Sequence, residues 1–359
     1  MSTHNRPGNS ITTNRRAFLG GSILGGLALA GVASGQEAGA LRTSPSRPVG
    51  QNSEGRGGAA SEMPTGQLGK LKVSRLISGG NLLSGWCHQR DLLFVRQLAE
   101  AYLTEKKQFD TLQWMEEVGV NTIMIDMMQM PIVNRYKKER GGKIQTIVSV
   151  REDWGEWRRP NAQNLKAQIA KAVDQGPDLL FLHGGYCDRL VQAGLQAGQS
   201  DRIEFLGEAL QFIRDKGFIA GLGSHALEVP IECDKRGIEP DYYVKTFHHD
   251  RYWSATPKGQ RKRFCVDGPR SLDHNEFCDN IFCIDPEETA AFMLKKKQPW
   301  VAFKVLAAGA IDAKSGFTYA FENGADFLAV GMFDFNIAED VRVVREVVKE
   351  MKRGRPWVG

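Results

Sequence analysis

Eight short apolar runs, each followed by a helical segment, constrain this chain more than any other feature. The runs cover 73–80 (VSRLISGG), 121–126 (NTIMID), 144–150 (IQTIVSV), 178–185 (DLLFLHGG), 218–225 (FIAGLGSH), 241–248 (DYYVKTFH), 300–309 (WVAFKVLAAG) and 326–332 (DFLAVGM). Between them lie amphipathic stretches such as DTLQWMEEVG, NLKAQIAKAVDQG and RIEFLGEALQFIRDKG, several ending in the glycine that commonly stops a helix. Strands that are apolar throughout are buried on both faces, as in a parallel sheet covered by helices. Eight such units predict an α/β fold: a closed (β/α)8 barrel of the TIM type, over 66–359. An open doubly wound sheet is the other arrangement of this pattern. It needs a glycine-rich phosphate loop after its first strand, and SGGNLLSG is a poor one.

The segment before the barrel reads differently. Arg15 and Arg16 in TTNRRAFLG precede Phe18, Leu19 and an uncharged stretch from Gly20 to Gly35. EAGA then offers a small-x-small cleavage site after Ala40. This is the layout of a twin-arginine export signal over 1–40, with a Pro/Gly/Ser-rich linker over 41–65. The stretch is too short and glycine-rich to remain as a membrane anchor. The expected partner is the twin-arginine export machinery, and the mature chain is expected in the periplasm or outside the cell. Replacing Arg15 and Arg16 with lysine is expected to leave uncleaved precursor in the cytoplasm. Unchanged export, followed by immunoblotting of fractions, would refute the assignment.

The net charge of +5 comes partly from this leader and from the C-terminal KEMKRGRPW, and no basic stripe points to nucleic acid. All six cysteines follow the leader, with no C-x-x-C pair to suggest structural zinc. Export permits disulfides, and Cys278 with Cys283 would close a small loop; free buried thiols are equally consistent with the sequence.

In such a barrel, chemistry sits at the C-terminal ends of the strands. Asp126 ends the second run; Ser149, Arg151 and Glu152 end or follow the third. His183 ends the fourth, Ser224 and His225 the fifth, His248 and His249 the sixth. Lys304 lies in the seventh, and His88 follows the first. Five of the seven histidines thus fall at one rim. Titratable groups converging in one cleft are a usual mark of an active site.

These strand ends resemble those of the aldo-keto reductases. LGKLKVSRLISGG is similar to their Gly-Gly first strand, VGVNTIMID to the second, PDLLFLHGG to the fourth and GFIAGLGSH to the fifth. WVAFKVLAAG resembles the seventh, and GADFLAVGMFDFNIAEDVRVV the last strand with its helix. The resemblance implies a nicotinamide oxidoreductase in which Asp126 and His183 are catalytic. It also implies that Ser224 and His225 hold the nicotinamide amide, while Gly331 and Met332 bring backbone N–H groups to the phosphate of NADP or NAD. The family's proton donor is a Tyr about five residues past the Asp, and this chain has Pro131 there, with Tyr136 five residues on. The family's Lys at the end of strand three is missing from QTIVSV. Lys304 and Arg151 are the cations placed to restore positive charge. A nicotinamide cofactor in an exported protein would have to travel bound inside the folded chain, which twin-arginine export permits.

The small-molecule substrate is expected to be a polar carbonyl compound or a sugar. The long segment after strand six carries Tyr252, Trp253, Phe264, Phe277 and Phe282 among acids and His274, a mix that suits a sugar's C–H face and hydroxyls. The second functional class is a non-redox isomerase, lyase or hydrolase. There His225, Glu228 and His249 would bind a divalent Zn, Mn or Fe; Glu232 shares a helix face with Glu228. Along strand six, alternation leaves two registers. In one, Val244, Thr246 and His248 face the axis; in the other, Tyr243, Lys245, Phe247 and His249 do. The resemblance favours the first. It makes His248 an acid–base group or ligand, has His249 orient the loop through Asp250 or a carbonyl, and sends the Lys245 amine past the helices to solvent.

Overall fold

The computed structural model describes residues 62–88, 92, 94–152, 161–264 and 282–359. The export signal, most of the linker, Cys265, Cys278, His274 and Phe277 therefore lie outside the described residues.

The eight predicted strands are present. They are β3 (Leu76–Gly79), β4 (Thr122–Asp126), β5 (Gln145–Val150), β6 (Leu179–Leu182), β7 (Ala220–Ser224), β8 (Tyr242–Thr246), β9 (Trp300–Phe303) and β10 (Phe327–Val330). Each pairs in parallel with the next, and β10 returns to β3 to close the barrel. The fold is a (β/α)8 TIM barrel. The helices are α1 (Phe94–Tyr102), α2 (Glu105–Glu117), α3 (Met130–Arg140), α4 (Ala162–Val173), α5 (Gly184–Ala197), α6 (Asp201–Asp215), α7 (Glu228–Lys235), α8 (Pro286–Met293), α9 (Ala313–Glu322) and α10 (Asp334–Glu350). No helix among the described residues is long and apolar enough to cross a membrane.

Alternation divides the apolar residues between two cores. Ile77, Ile147, Leu179, Phe181, Tyr242, Val244, Val301, Phe327 and Ala329 fill the barrel interior. Their strand neighbours, including Ile123, Ile125, Val148, Leu180, Leu182, Tyr243 and Phe247, pack under the helices. The strands are apolar on both faces for this reason.

The first run is not one strand. Val73 and Ser74 belong to β2 (Leu71–Ser74), which forms an antiparallel hairpin with β1 (Thr65–Leu68), turning at Gly69 with φ +60°. Leu68 and Val73 of this hairpin join the barrel's interior core and close its floor. Arg75 marks the break. Its guanidinium donates to the carbonyls of Asp326 (2.9 Å) and Gly359 (2.7 Å) and lies 3.8 Å over the Trp357 ring, and burial lowers its pKa to about 10. On the same floor Asp326, fully buried, accepts from Trp300 N (3.0 Å), Val358 N (3.0 Å), Arg353 (3.3 Å) and Arg355 (2.5 Å).

Between β6 and β7 the backbones come unusually close. A Cβ on Gly223 would stand 2.3 Å from the Leu182 carbonyl oxygen and 2.7 Å from Gly184 N. Only glycine allows this approach, which brings the end of β7 against the start of α5.

Candidate functional site

Asp126 ends β4 on the interior-facing side, two residues beyond Met124, which packs on the interior core. It caps the short turn Met127–Gln129. One carboxylate oxygen accepts from Met128 N (3.1 Å) and the other from Ser149 Oγ (3.3 Å), while Gln129 Oε1 accepts from Asp126 N (2.8 Å). Arg151, just past β5, brings a guanidinium nitrogen to 3.8 Å from the same carboxylate. Asp126, Ser149 and Arg151 line a shallow pocket with Met127, Met128 and Gln168. A second shallow depression, under Phe205 and Leu165, lies in the helix layer away from the strand ends.

His183 follows β6 by one residue and stands two beyond Phe181 of the interior core, so it tops the same face. Burial pushes its pKa down to about 3, reinforced by the charges of His225, Arg151, Lys304 and Arg189. The ring is therefore neutral at ordinary pH. Arg151 links the two groups: it contacts Asp126 and its charge acts on His183.

Ser224 and His225 end β7, both buried. His225 Nδ1 lies 2.8 Å from Asp188 Oδ2, and Asp188 Oδ1 accepts from the His225 and Ala226 amides, both at 3.0 Å. Burial raises the Asp188 pKa to about 7 despite these bonds and the nearby Lys245 and Lys304. Asp188 sits in the second turn of α5, where the sequence shows only an ordinary helix acid; the Gly-Gly start of α5 against a Gly in β7 was the available signal.

Lys304 is not in a strand. It follows β9 with φ +58°, in a run where Ala307, Ala308 and Gly309 also have positive φ. Left-handed backbone at non-glycine residues costs on the order of 1 kcal/mol each. The turn carries the Lys304 amine across the mouth, 3.8 Å over the Phe282 ring and 2.6 Å from His88 Nε2. The His88 ring itself packs 4.8 Å from Phe282.

Three expectations change here. First, Val244 does face the interior, as the favoured register required, yet His248 does not sit as a reacting group. It is fully buried; Nδ1–H donates to the His249 carbonyl (2.8 Å), and Nε2 accepts from Phe282 N (3.0 Å) and Cys283 N (3.1 Å). Both nitrogens are committed to backbone, so His248 pins the returning end of the long loop. Burial holds its pKa at about 4. Second, His249 Nε2 meets Ser315 Oγ on α9 (2.9 Å) and its Nδ1 accepts from Arg251 N (3.2 Å), while Asp250 pairs with Arg261 (2.9 Å). Glu228 pairs with Arg263 (3.1 Å), and Glu232 with Lys235 and Arg236. His225, Glu228 and His249 do not converge, and no three His, Cys, Asp or Glu among the described residues could hold a metal ion. Third, Lys245 does not reach solvent. It is 1% exposed, and its amine donates to His225 O (2.6 Å), Thr246 O (3.0 Å) and Thr246 Oγ1 (3.1 Å).

Two further residues stay away from the rim chemistry. Tyr136 is buried in α3, its hydroxyl donating to Glu116. Glu152 is buried and accepts from Asn161 N (2.8 Å) and Tyr186 OH (2.5 Å). Cys283 is a free buried thiol.

At the end of β10, Gly331 is exposed and Met332 buried, and α10 starts three residues past Gly331 without a side-chain cap. Asp334 in its first turn is balanced by Lys107 (2.8 Å) and Tyr102 OH (2.7 Å). A helix N-terminus with exposed backbone and a compensated acid is compatible with a phosphate group.

No family model matches this chain, and no curated protein matches it. Among solved structures it is similar to aldo-keto reductase AKR11C1 from Bacillus halodurans in its holo form, at 14% identity over 82% of this chain and 98% of that one, with a TM-score of 0.51. It is also similar to the apo form of Gox0644, at 10% identity, 81% and 94% coverage and a TM-score of 0.48. A third is MGS-M4, an aldo-keto reductase enzyme from a Medee basin deep-sea metagenome library, at 10% identity, 80% and 96% coverage and a TM-score of 0.41. The likeness to the first is one of fold, a closed barrel of eight parallel strands.

Proposed function

We propose, from a barrel with the aldo-keto reductase fold, that this chain is an exported oxidoreductase acting on a small polar carbonyl or sugar-like substrate. What supports the reading is Arg151, whose guanidinium lies 3.8 Å from the Asp126 carboxylate and whose charge, with that of Lys304, acts on His183. NADP or NAD would be held by Ser224 and by Gly331, Met332 and the first amides of α10. When bound, that cofactor supplies or accepts the hydride. The chain's own residues handle the proton and the charge. His183, neutral, donates a hydrogen bond to the substrate oxygen. Lys304 and Arg151 stabilise negative charge developing there. The Lys304–His88 pair, 2.6 Å apart, would take the place of the missing Tyr and Lys.

One observation favours a second reading, a non-redox isomerase or lyase on a carbohydrate: Tyr136 is in the helix layer and Ser149 stands where a lysine is expected. Absorbance and metal analysis of the protein purified without chelator separate the two. Bound nucleotide, or NADPH binding seen by fluorescence titration, is the expected result. No binding of either nucleotide would sink the oxidoreductase. In a screen of small aldehydes and sugars, His183→Ala is expected to lower turnover about 10²–10⁴-fold, the usual weight of a positioned proton-transfer group.

A further inference from the structure

The sequence resemblance implies that His225 holds a cofactor's amide; its surroundings describe something else. We propose that His225 is a second acid–base group of this rim, exchanging a substrate proton at Nε2, with Asp188 and Lys245 as positioning residues behind it. This rests on the reading of the rim as an active site, though not on whether a nucleotide binds there.

The geometry is specific. Asp188 directs both carboxylate oxygens at one target: Oδ2 to the His225 ring at 2.8 Å, and Oδ1 to the His225 and Ala226 amides at 3.0 Å. A carboxylate on Nδ1 holds that nitrogen as the donor, which leaves Nε2 with the lone pair of the neutral ring. Gly184 makes room for the ring, since a Cβ there would stand 3.3 Å from His225 Cε1 and Nδ1. Phe303, with its ring 5.2 Å away, backs the imidazole. Pinning the backbone of a strand end needs only the amide bonds; the ring bond is additional.

Lys245 is the second, independent observation. An amine that is 1% exposed and bonded only to neutral oxygens is costly to bury. A methionine would fill the same space. What a cation adds there is charge: it acts on Asp188 through the low-dielectric interior and favours its ionised form, against burial. It also grips the His225 carbonyl, so the residue that carries the ring is held from both sides. The charged and titratable groups facing the unit are His183 at the end of β6, Arg151 after β5, Lys304 after β9, and Glu228 and Cys283 toward Lys245.

The test uses the full chain labelled with ¹⁵N, with His225→Gln to assign the ring. Expected are the Nδ1–H tautomer for His225 and a midpoint that falls by about one pH unit or more in Asp188→Asn, as loss of an adjacent carboxylate predicts. In Lys245→Met the midpoint rises by a comparable amount. Acylation by diethyl pyrocarbonate, mapped by mass spectrometry on the unsubstituted protein, should reach His225 and spare His248. An Nε2–H tautomer, or an unlabelled His225, would overturn the proposal even if both variants failed to fold. A midpoint indifferent to Asp188→Asn, with only the melting temperature lowered, would reduce Asp188 to a structural pin. The nucleotide titration fails or succeeds separately, so the two readings cannot be confused.

Discussion

His248→Ala is expected to lower the unfolding free energy by about 3–5 kcal/mol, measured by denaturant titration of the full chain. The imidazole is fully buried and serves three backbone groups: the His249 carbonyl and the Phe282 and Cys283 amides. Each orphaned buried group costs about 1–3 kcal/mol, and a cavity adds to that. The same contacts set a pH signature. The folded pKa of about 4 lies below the ordinary value of 6.5, so the folded state binds this proton less readily than the unfolded chain. The contribution is fully present above pH 6.5 and is lost as pH falls from there toward 4, by on the order of 3 kcal/mol. The alanine variant should lack that component of its acid sensitivity. A variant of unchanged stability that had lost only ligand binding would return His248 to the reacting groups.

Asp326→Ala should be as damaging from the other end of the barrel. The carboxylate is fully buried between Arg353 and Arg355, with Arg75 bound to its carbonyl, and it also holds the Trp300 and Val358 amides. Removing one partner of a buried ion pair typically costs about 3–5 kcal/mol, because the remaining charge stays buried. The readout is the melting temperature, with Asp326→Asn as the milder comparison. A fall in melting temperature no larger than that of a surface Asp→Ala would show that the floor is not held by these charges.

The barrel was legible because its physics is local and periodic. Runs such as TIMID and QTIVSV are apolar on both faces, the helical stretches between runs often end in glycine, and no other closed arrangement buries eight of them. Asp126 and His183 were legible for the same reason, since position at a strand end is a one-dimensional property. Alternation left two registers open on strand six, and the resemblance chose the one that turns Val244 inward. What alternation cannot see is which distant segment returns to a strand end. His248 was misread because Phe282 and Cys283, more than thirty positions on, present their amides to it. The error for Lys245 was one of rule: a lysine on the helix-facing side was expected to reach water, and instead it found three oxygens within 3.1 Å. Asp188 was missed because a carboxylate within a helix carries no sign of burial in the sequence. The metal set of His225, Glu228 and His249 had the right elements but the wrong neighbours, each side chain being committed elsewhere.

The long segment after β8 is fastened at both roots. His248 clasps its return at Phe282 and Cys283, while Arg261 ties the outgoing part, bonding Thr256 O (2.7 Å), Ile284 O (2.6 Å) and Asp250. With the two roots held at a fixed separation, the length of the chain between them enters the stability only through closure entropy. Doubling its length would cost only about 0.6 kcal/mol in closure entropy. Changes of length between 264 and 282 are therefore expected to leave the stability of the barrel nearly unchanged.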